Sequence, residues 1–247
     1  MSEIRVGIFG VSGKMGSSVV TAVSQAEGMT VTGGSDIREP REAIGNAQVV
    51  VDFTHPDAVM ENIEWALERN LDMVIGTTGF DEARLQRVRE LCDEHPDAGV
   101  LIASNFSIGA NLMMRFSVLA AKFYPSVEIV ELHHPNKADA PSGTATTTAQ
   151  QIAAARAEAS MEPVPDATVH DELSARGAEV DGIHVHAVRM QGLVAHQEVH
   201  FGAAGENLTI RHDSFDRASF MPGVVAAIEY VREHKGLTLG MAEVLGF

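Results

Sequence analysis

The stretch Ile4-Arg5-Val6-Gly7-Ile8-Phe9-Gly10-Val11-Ser12-Gly13-Lys14-Met15-Gly16 decides the fold. Ile4 to Phe9 is a short apolar run of the length of a buried strand. Gly10, Gly13 and Gly16 follow at intervals of three, and Val19, Val20 and Val23 then recur at helical spacing. Strand, glycine turn and helix open a dinucleotide-binding unit, in which the glycines permit a tight turn and the helix start meets the pyrophosphate. The spacing is G-x-x-G-x-x-G rather than the commoner G-x-G-x-x-G, so the motif is weak alone and its context carries it. A second strand, expected from Met29 to Gly34, leads to Asp36, 20 residues beyond Gly16. An acid there accepts hydrogen bonds from the adenine ribose; at an isolated strand end it would be a turn or helix cap.

The alternation continues outward. Val49 to Phe53, Met73 to Ile75 and Val100 to Ala103 read as strands, and Ala58 to Arg69 and Asp81 to Glu94 as helices. Near-continuous apolar strands separated by helices predict a parallel, doubly wound α/β sheet of the Rossmann type. Two strands end in small polar loops, Gly76-Thr77-Thr78-Gly79-Phe80 and Ala103-Ser104-Asn105-Phe106-Ser107. Ligands of such sheets sit beyond the carboxyl ends of the strands, so both loops are placed at the nicotinamide end, with ordinary turn chemistry as the alternative. A helical pattern from Ile108 to Tyr124 leaves this domain, and a last helix, Ala218 to Glu233, returns to it. The expected division is 1–106 with 218–247 for the dinucleotide, and 107–217 for an α+β open-sheet domain that binds substrate and forms the oligomer contact.

That second domain opens on Glu131-Leu132-His133-His134-Pro135-Asn136-Lys137-Ala138-Asp139-Ala140-Pro141-Ser142-Gly143-Thr144. A strand from Val127 to Leu132 delivers His133, His134 and Lys137 to its end, and Ser142, Gly143 and Thr144 start a helix of residues 145 to 159. A helix start presents unpaired N–H groups and partial positive charge, so it holds a carboxylate while Lys137 adds a full charge. The histidines titrate near neutrality, and strand alternation suggests that one of the two faces the ligand. For Ser142 alone an N-cap is the simpler reading. A polar loop around Pro163, Pro165 and Asp166 follows, then strands at Ile183 to Arg189, Val194 to Phe201 and Leu208 to His212. In the first of these Ile183, Val185 and Ala187 share one face and His184 and His186 the other. A metal site and a polar sheet face that contacts another subunit are both readings of that pair, and the second is preferred because no Cys or carboxylate completes a ligand set in sequence.

Composition narrows the function. The 247 residues carry a net charge of −16, from 34 acidic against 18 basic side chains, which argues against nucleic acid and anionic membrane as partners. Only Lys14, Lys122, Lys137 and Lys235 are lysines. Such an acidic, lysine-poor chain reads as one with a halophile-like surface, or as an ordinary acidic enzyme. No apolar run reaches the length of a membrane span, and the strand at Ile4 begins too early for an N-terminal signal; a cytoplasmic enzyme is expected. The single cysteine, Cys92, excludes an intrachain disulfide and reads as packing.

With the glycine loop, G-T-T-G-F, N-F-S and the His-His-Lys cluster together, the chain closely resembles the dihydrodipicolinate reductase family of lysine biosynthesis, from Ile4 to beyond Arg217. The family pattern H-H-x-x-K-x-D-A-P-S-G-T-A stands unbroken at residues 133–145. The resemblance implies reduction of the cyclic dicarboxylate 4-hydroxy-tetrahydrodipicolinate by NADH or NADPH, with loss of water, in a homotetramer. It implies His133 as proton donor or acceptor, Lys137 as proton donor, and His134, Gly143 and Thr144 as substrate-binding, to which the helix-start reading adds Ser142. Its cofactor contacts fall on Gly10, Val11, Ser12, Gly13, Lys14, Met15, Asp36, Gly76, Thr77, Thr78, Ala103, Ser104, Asn105 and Phe106; no metal is implied. The family often carries an arginine directly after the acid. Here Ile37 stands there and Arg38 follows, so Asp36 favours NADH while Arg38 and Lys14 offer charge to a 2′-phosphate. Two other classes share the opening motif: another two-domain nicotinamide oxidoreductase, such as an amino-acid dehydrogenase, and a non-catalytic dinucleotide sensor. Neither explains the His-His-Lys cluster.

Overall fold

The computed structural model describes residues 3–247, so Met1 and Ser2 of the expected first domain lie outside it. The chain forms two compact units, residues 1–108 with 217–247, and residues 109–216.

In the first unit β1 (Ile4–Phe9), β2 (Met29–Ser35), β3 (Val49–Asp52), β4 (Asp72–Ile75) and β5 (Gly99–Ile102) alternate with α1 (Lys14–Gln25), α2 (Pro56–Leu67) and α3 (Glu82–Glu94). Helix α4 (Ile108–Ala120) leads out, and α6 (Met221–Glu233) and β11 (Gly236–Leu239) come back. The six strands run in the order β11-β5-β4-β3-β1-β2, with every pairing parallel. Both faces are covered, which is why the strands read as unbroken apolar runs. Val49 and Val51 join α1 and α6 in one core; Val50 between them faces the other, with α2 and α3. Cys92 lies in that second core, where burial pushes its thiol up to about 11, an inert packing group.

Two sequence expectations are corrected here, and one element is added. The last helix begins at Met221, because Arg217–Phe220 forms a 3₁₀ turn and Pro222, lacking an N–H, suits the first helical turn. The helix expected to reach Tyr124 stops at Ala120. The edge strand β11 was not anticipated: Gly236-Leu-Thr-Leu is too short for its alternation to stand out, and it is defined by pairing with β5.

The second unit holds β6 (Ser126–His133), α5 (Gly143–Glu158), β7 (Ala178–Val180), β8 (Ile183–Arg189), β9 (Ala195–Ala203) and β10 (Glu206–Ser214). Its mixed sheet runs β10-β9-β6-β8-β7. One face packs on α5: Val127, Ile129, Val185, Val199 and Phe201 meet Ala145, Ala149, Ile152 and Ala155, whose small side chains let the helix approach closely. The opposite face is half-exposed and charged. His186 pairs with Glu128 at 2.8 Å, His200 with Glu198 at 2.8 Å, and Arg176 binds both Glu128 and Asp166. The His184 and His186 pair therefore meets acids, but as a charged network; among the described residues no group of three or more His, Cys, Asp or Glu has metal-site geometry. Ala187, which alternation puts on the face of the buried Ile183 and Val185, is exposed. Among the described residues no helix is long and apolar enough to cross a membrane.

Candidate active site

The first unit carries a dinucleotide cradle. The chain leaves β1 for β2 on one side and later returns to lay down β3 on the other, so the crevice between the ends of β1 and β3 is the topological switch point. A cavity of about 670 Å³ opens there, bordered by Gly10, Gly13, Asp36, Arg41, Thr54 and Trp65, among others. Gly10 has φ +78°, and a Cβ on it would sit 2.6 Å from the Phe53 carbonyl oxygen. A Cβ on Gly16 would sit 2.1 Å from the Gly10 carbonyl, so the third glycine lets α1 start tight against the loop. The loop amide of Ser12 donates to Asp36 Oδ2 at 3.0 Å, tying that acid to the cradle. Lys14 is exposed at the first helical position, with Val11 and Met15 half-buried on either side. These residues fit a nicotinamide dinucleotide.

The two other predicted loops stand at the ends of β4 and β5. Thr77 is buried and Thr78 exposed; Ala103 and Phe106 are buried, with Ser104 exposed and Asn105 accepting from the Ser107 amide at 2.8 Å. The Thr77 hydroxyl donates to Asp52 Oδ1 at 2.7 Å, and Asp52, fully buried, also accepts from Thr54 N, Thr54 Oγ1 and Asn62 Nδ2 at 2.7 to 2.9 Å. Asn62 Oδ1 in turn receives Arg41 Nε at 2.8 Å, and a second Arg41 nitrogen reaches Glu61 at 3.0 Å. Sequence reading did not identify this network. Its signal was an acid closing the apolar run Val49 to Val51. Arg38, by contrast, is exposed and outside the cavity lining, which Arg41 enters.

The second unit carries the His-Lys cluster. His133 closes β6, its side chain 14% exposed, whereas His134 lies just beyond the strand in a turn and is exposed. The strand alternation applied to the pair therefore ends one residue too soon. Lys137 donates to Asp139 at 2.8 and 2.9 Å, and this hydrogen bond holds the Asp139 carboxyl below the usual range. Ser142, 3% exposed, is the N-cap of α5: its Oγ accepts from Ala145 N at 3.2 Å, and its own amide donates to Glu131 at 3.1 Å. At this helix start Gly143 is exposed with open space above its Cα, and Thr144 is half-buried beside it. Glu131 and Arg189, absent from the predicted site, sit beneath the cluster. Glu131 shares the strand face of Val127 and Ile129, and a charge at a buried strand position demands a partner.

The all-parallel sheet with its glycine cradle and switch-point cavity, joined in one chain to a sheet unit bearing histidines and a lysine, defines an NAD(P)H-dependent oxidoreductase. Family models for the dihydrodipicolinate reductase N-terminus and C-terminus match residues 4–106 and 109–245. The 4-hydroxy-tetrahydrodipicolinate reductase of Cutibacterium acnes is 56% identical over 98% of this chain and 99% of its own length. That of Thermobifida fusca is 54% identical over 98% and 99%. A solved structure, dipicolinate-bound dihydrodipicolinate reductase from Paenisporosarcina sp. TG-14, superposes with a TM-score of 0.84 at 39% identity, covering 98% of this chain and 99% of that one. The chain belongs to the dihydrodipicolinate reductase family.

Proposed function

We propose that this protein reduces 4-hydroxy-tetrahydrodipicolinate to tetrahydrodipicolinate with NADH or NADPH, water being lost, in lysine (diaminopimelate) biosynthesis. The observation that carries the reading is the unbroken His133-His134-x-x-Lys137 cluster set beside the start of α5, in a chain of this family. When bound, the nicotinamide supplies the hydride. Gly10, Val11, Ser12, Gly13, Lys14 and Met15 hold the pyrophosphate, Asp36 the ribose, and the loops Gly76 to Thr78 and Ala103 to Phe106 the nicotinamide end.

The chain's remaining task is proton traffic and charge. Substrate carboxylates meet His134, Lys137 and the amide end of α5 at Gly143 and Thr144, where helix partial charge adds to the ammonium. Ser142 contributes by capping that helix rather than by its own amide, which is committed to Glu131. Lys137 Nζ gives a proton to the carbon left electron-rich by reduction, and His133 exchanges one from its ring. The charged open face of the β7–β10 sheet is the homotetramer contact, and the enzyme works in the cytoplasm. The lysine-poor, acidic composition fits a salt-adapted surface.

Coupled turnover of the aldolase product with NADH and with NADPH tests the activity. Oxidation of both cofactors is expected; failure with both, on substrate shown to be fresh by a reference reductase, would overturn it. Cofactor choice has its own test in the dissociation constants of the free enzyme. Arg38→Ala is expected to weaken NADPH by about 10-fold, the loss of one charge-assisted contact, and to spare NADH. Equal loss for the two cofactors would show that Arg38 does not read the phosphate. Loss of NADPH in Arg41→Ala instead would pass that role to the arginine that lines the cavity.

A further inference from the structure

We propose that Glu131 is a positioning residue for His133: clamped by Arg189 and the Ser142 amide, its carboxylate takes the Nδ1 proton in a hydrogen bond and leaves Nε2 as the proton acceptor. This rests on the assignment of His133 to proton exchange, and it decides between the donor and acceptor roles that the family reading leaves open. The argument begins with burial. The Glu131 side chain is 0% exposed, and an unpaired carboxylate there would be strongly destabilising. It is instead saturated with donors. Arg189 Nη1 reaches Oε2 at 2.7 Å and Nη2 reaches Oε1 at 2.8 Å, in the bidentate geometry that Arg and carboxylate share. Ser142 N adds a bond to Oε1 at 3.1 Å, and His133 Nδ1 lies 2.5 Å from Oε2.

The parallel register of β6 and β8 puts this together. It pairs His133 with Arg189, and Arg189 Nη2 also holds the Asp139 carbonyl at 2.7 Å, which fixes the guanidinium from the loop side. Guanidinium and amide are donors without alternative, so they leave Glu131 an acceptor. A contact of 2.5 Å to that acceptor requires a proton on Nδ1, so that the uncharged ring is the Nδ1–H tautomer with its lone pair on Nε2.

The charges around the ring say which way it works. Glu131 faces it from the same strand, Arg189 from β8, and Lys137 from the following loop, with Asp139 shared between Lys137 and Arg189. Burial pushes His133 down, Glu131 pulls it up, and Lys137 and Arg189 push it down again, leaving it below the ordinary imidazole value. Burial would raise Glu131, but the bonds from Arg189 and His133 outweigh it and hold that carboxyl below its ordinary value. Glu131 and Arg189 neutralise each other, so the imidazolium lacks a full counter-ion. The uncharged ring is thereby favoured, with the Nε2 lone pair placed to accept a proton.

Nitrogen-15 NMR of the histidine side chains in the wild-type protein at neutral pH is the first test. The Nδ1–H tautomer is expected for His133; the Nε2–H tautomer, or an imidazolium, would overturn the proposal without any variant having to fold. In steady-state kinetics Glu131→Gln is expected to lower kcat/KM by about 10- to 100-fold, the usual scale for a group that orients a histidine. It should also move the acidic limb to lower pH, because removing the carboxylate removes what pulls the His133 pKa upward. Glu131→Asp should restore part of the rate and the wild-type limb. An unmoved limb together with an unchanged tautomer in Glu131→Gln would sink the positioning role. His133→Ala separates the two layers of the argument. Wild-type turnover in that variant would remove His133 from the chemistry; lost turnover there, with Glu131→Gln like wild type, would remove Glu131 alone.

Discussion

Lys137→Ala is expected to lower turnover by about 10²-fold or more, the scale of a lost general acid, with cofactor affinity unchanged because the cradle lies in the other unit. Lys137 is the only lysine between Lys122 and Lys235, and its ammonium is held in place by both Asp139 oxygens. Lys137→Arg tells charge from chemistry. Arginine keeps the positive charge but does not give up a proton near neutral pH, so it should restore substrate affinity without restoring kcat. A rate recovered by arginine would mean that position 137 serves only to neutralise a carboxylate. An unimpaired alanine variant would remove Lys137 from the mechanism.

Asp52→Ala should destabilise the first unit by about 3 kcal/mol or more, since it strands the Asn62 amide and the hydroxyls of Thr54 and Thr77 without their acceptor in a buried place. For a domain of this size that corresponds to a fall in Tm of roughly 10 °C. Thr77 belongs to the loop proposed to hold the nicotinamide end, so NADH affinity should fall with it at temperatures where the variant remains folded. Asp52→Asn keeps an oxygen for part of the network and should lie between the two. Thermal unfolding of the Ala variant at the wild-type temperature would show that water replaces Asp52 at little cost, and that the network does not hold the loop.

Much of both units was legible without coordinates, for a reason that depends on location. The parallel sheet is buried on both faces, so its strands could be read as apolar runs, and the Gly10 to Gly16 spacing marks a turn that larger residues would clash with. The His133 to Thr144 cluster is likewise local: a strand end, a turn and a capped helix within a dozen residues. Where a signal relied on too few residues it failed, as with β11 and the start of α6.

What the sequence by itself determined is therefore the set of groups that local geometry assembles: the glycine cradle with Asp36, the two strand-end loops, and the histidine and lysine beside a helix start. What the tertiary structure decided is which groups hold them. Arg189 is 58 residues from Glu131, yet the β6–β8 register sets it opposite His133, within reach of the Glu131 carboxylate two positions back on the same strand; Thr77 is 25 residues from Asp52 and meets it where the neighbouring strands β3 and β4 end. Such partners have no spacing to recognise, because side chains brought together by strand pairing are chosen by register and burial rather than by distance along the chain. The same cause explains Arg41 and Ser142. Arg41 was not singled out in the sequence and Ser142 was, but what the polar atoms of each bind is decided by Asn62 in one case and Glu131 in the other, and so is what remains for a ligand to meet.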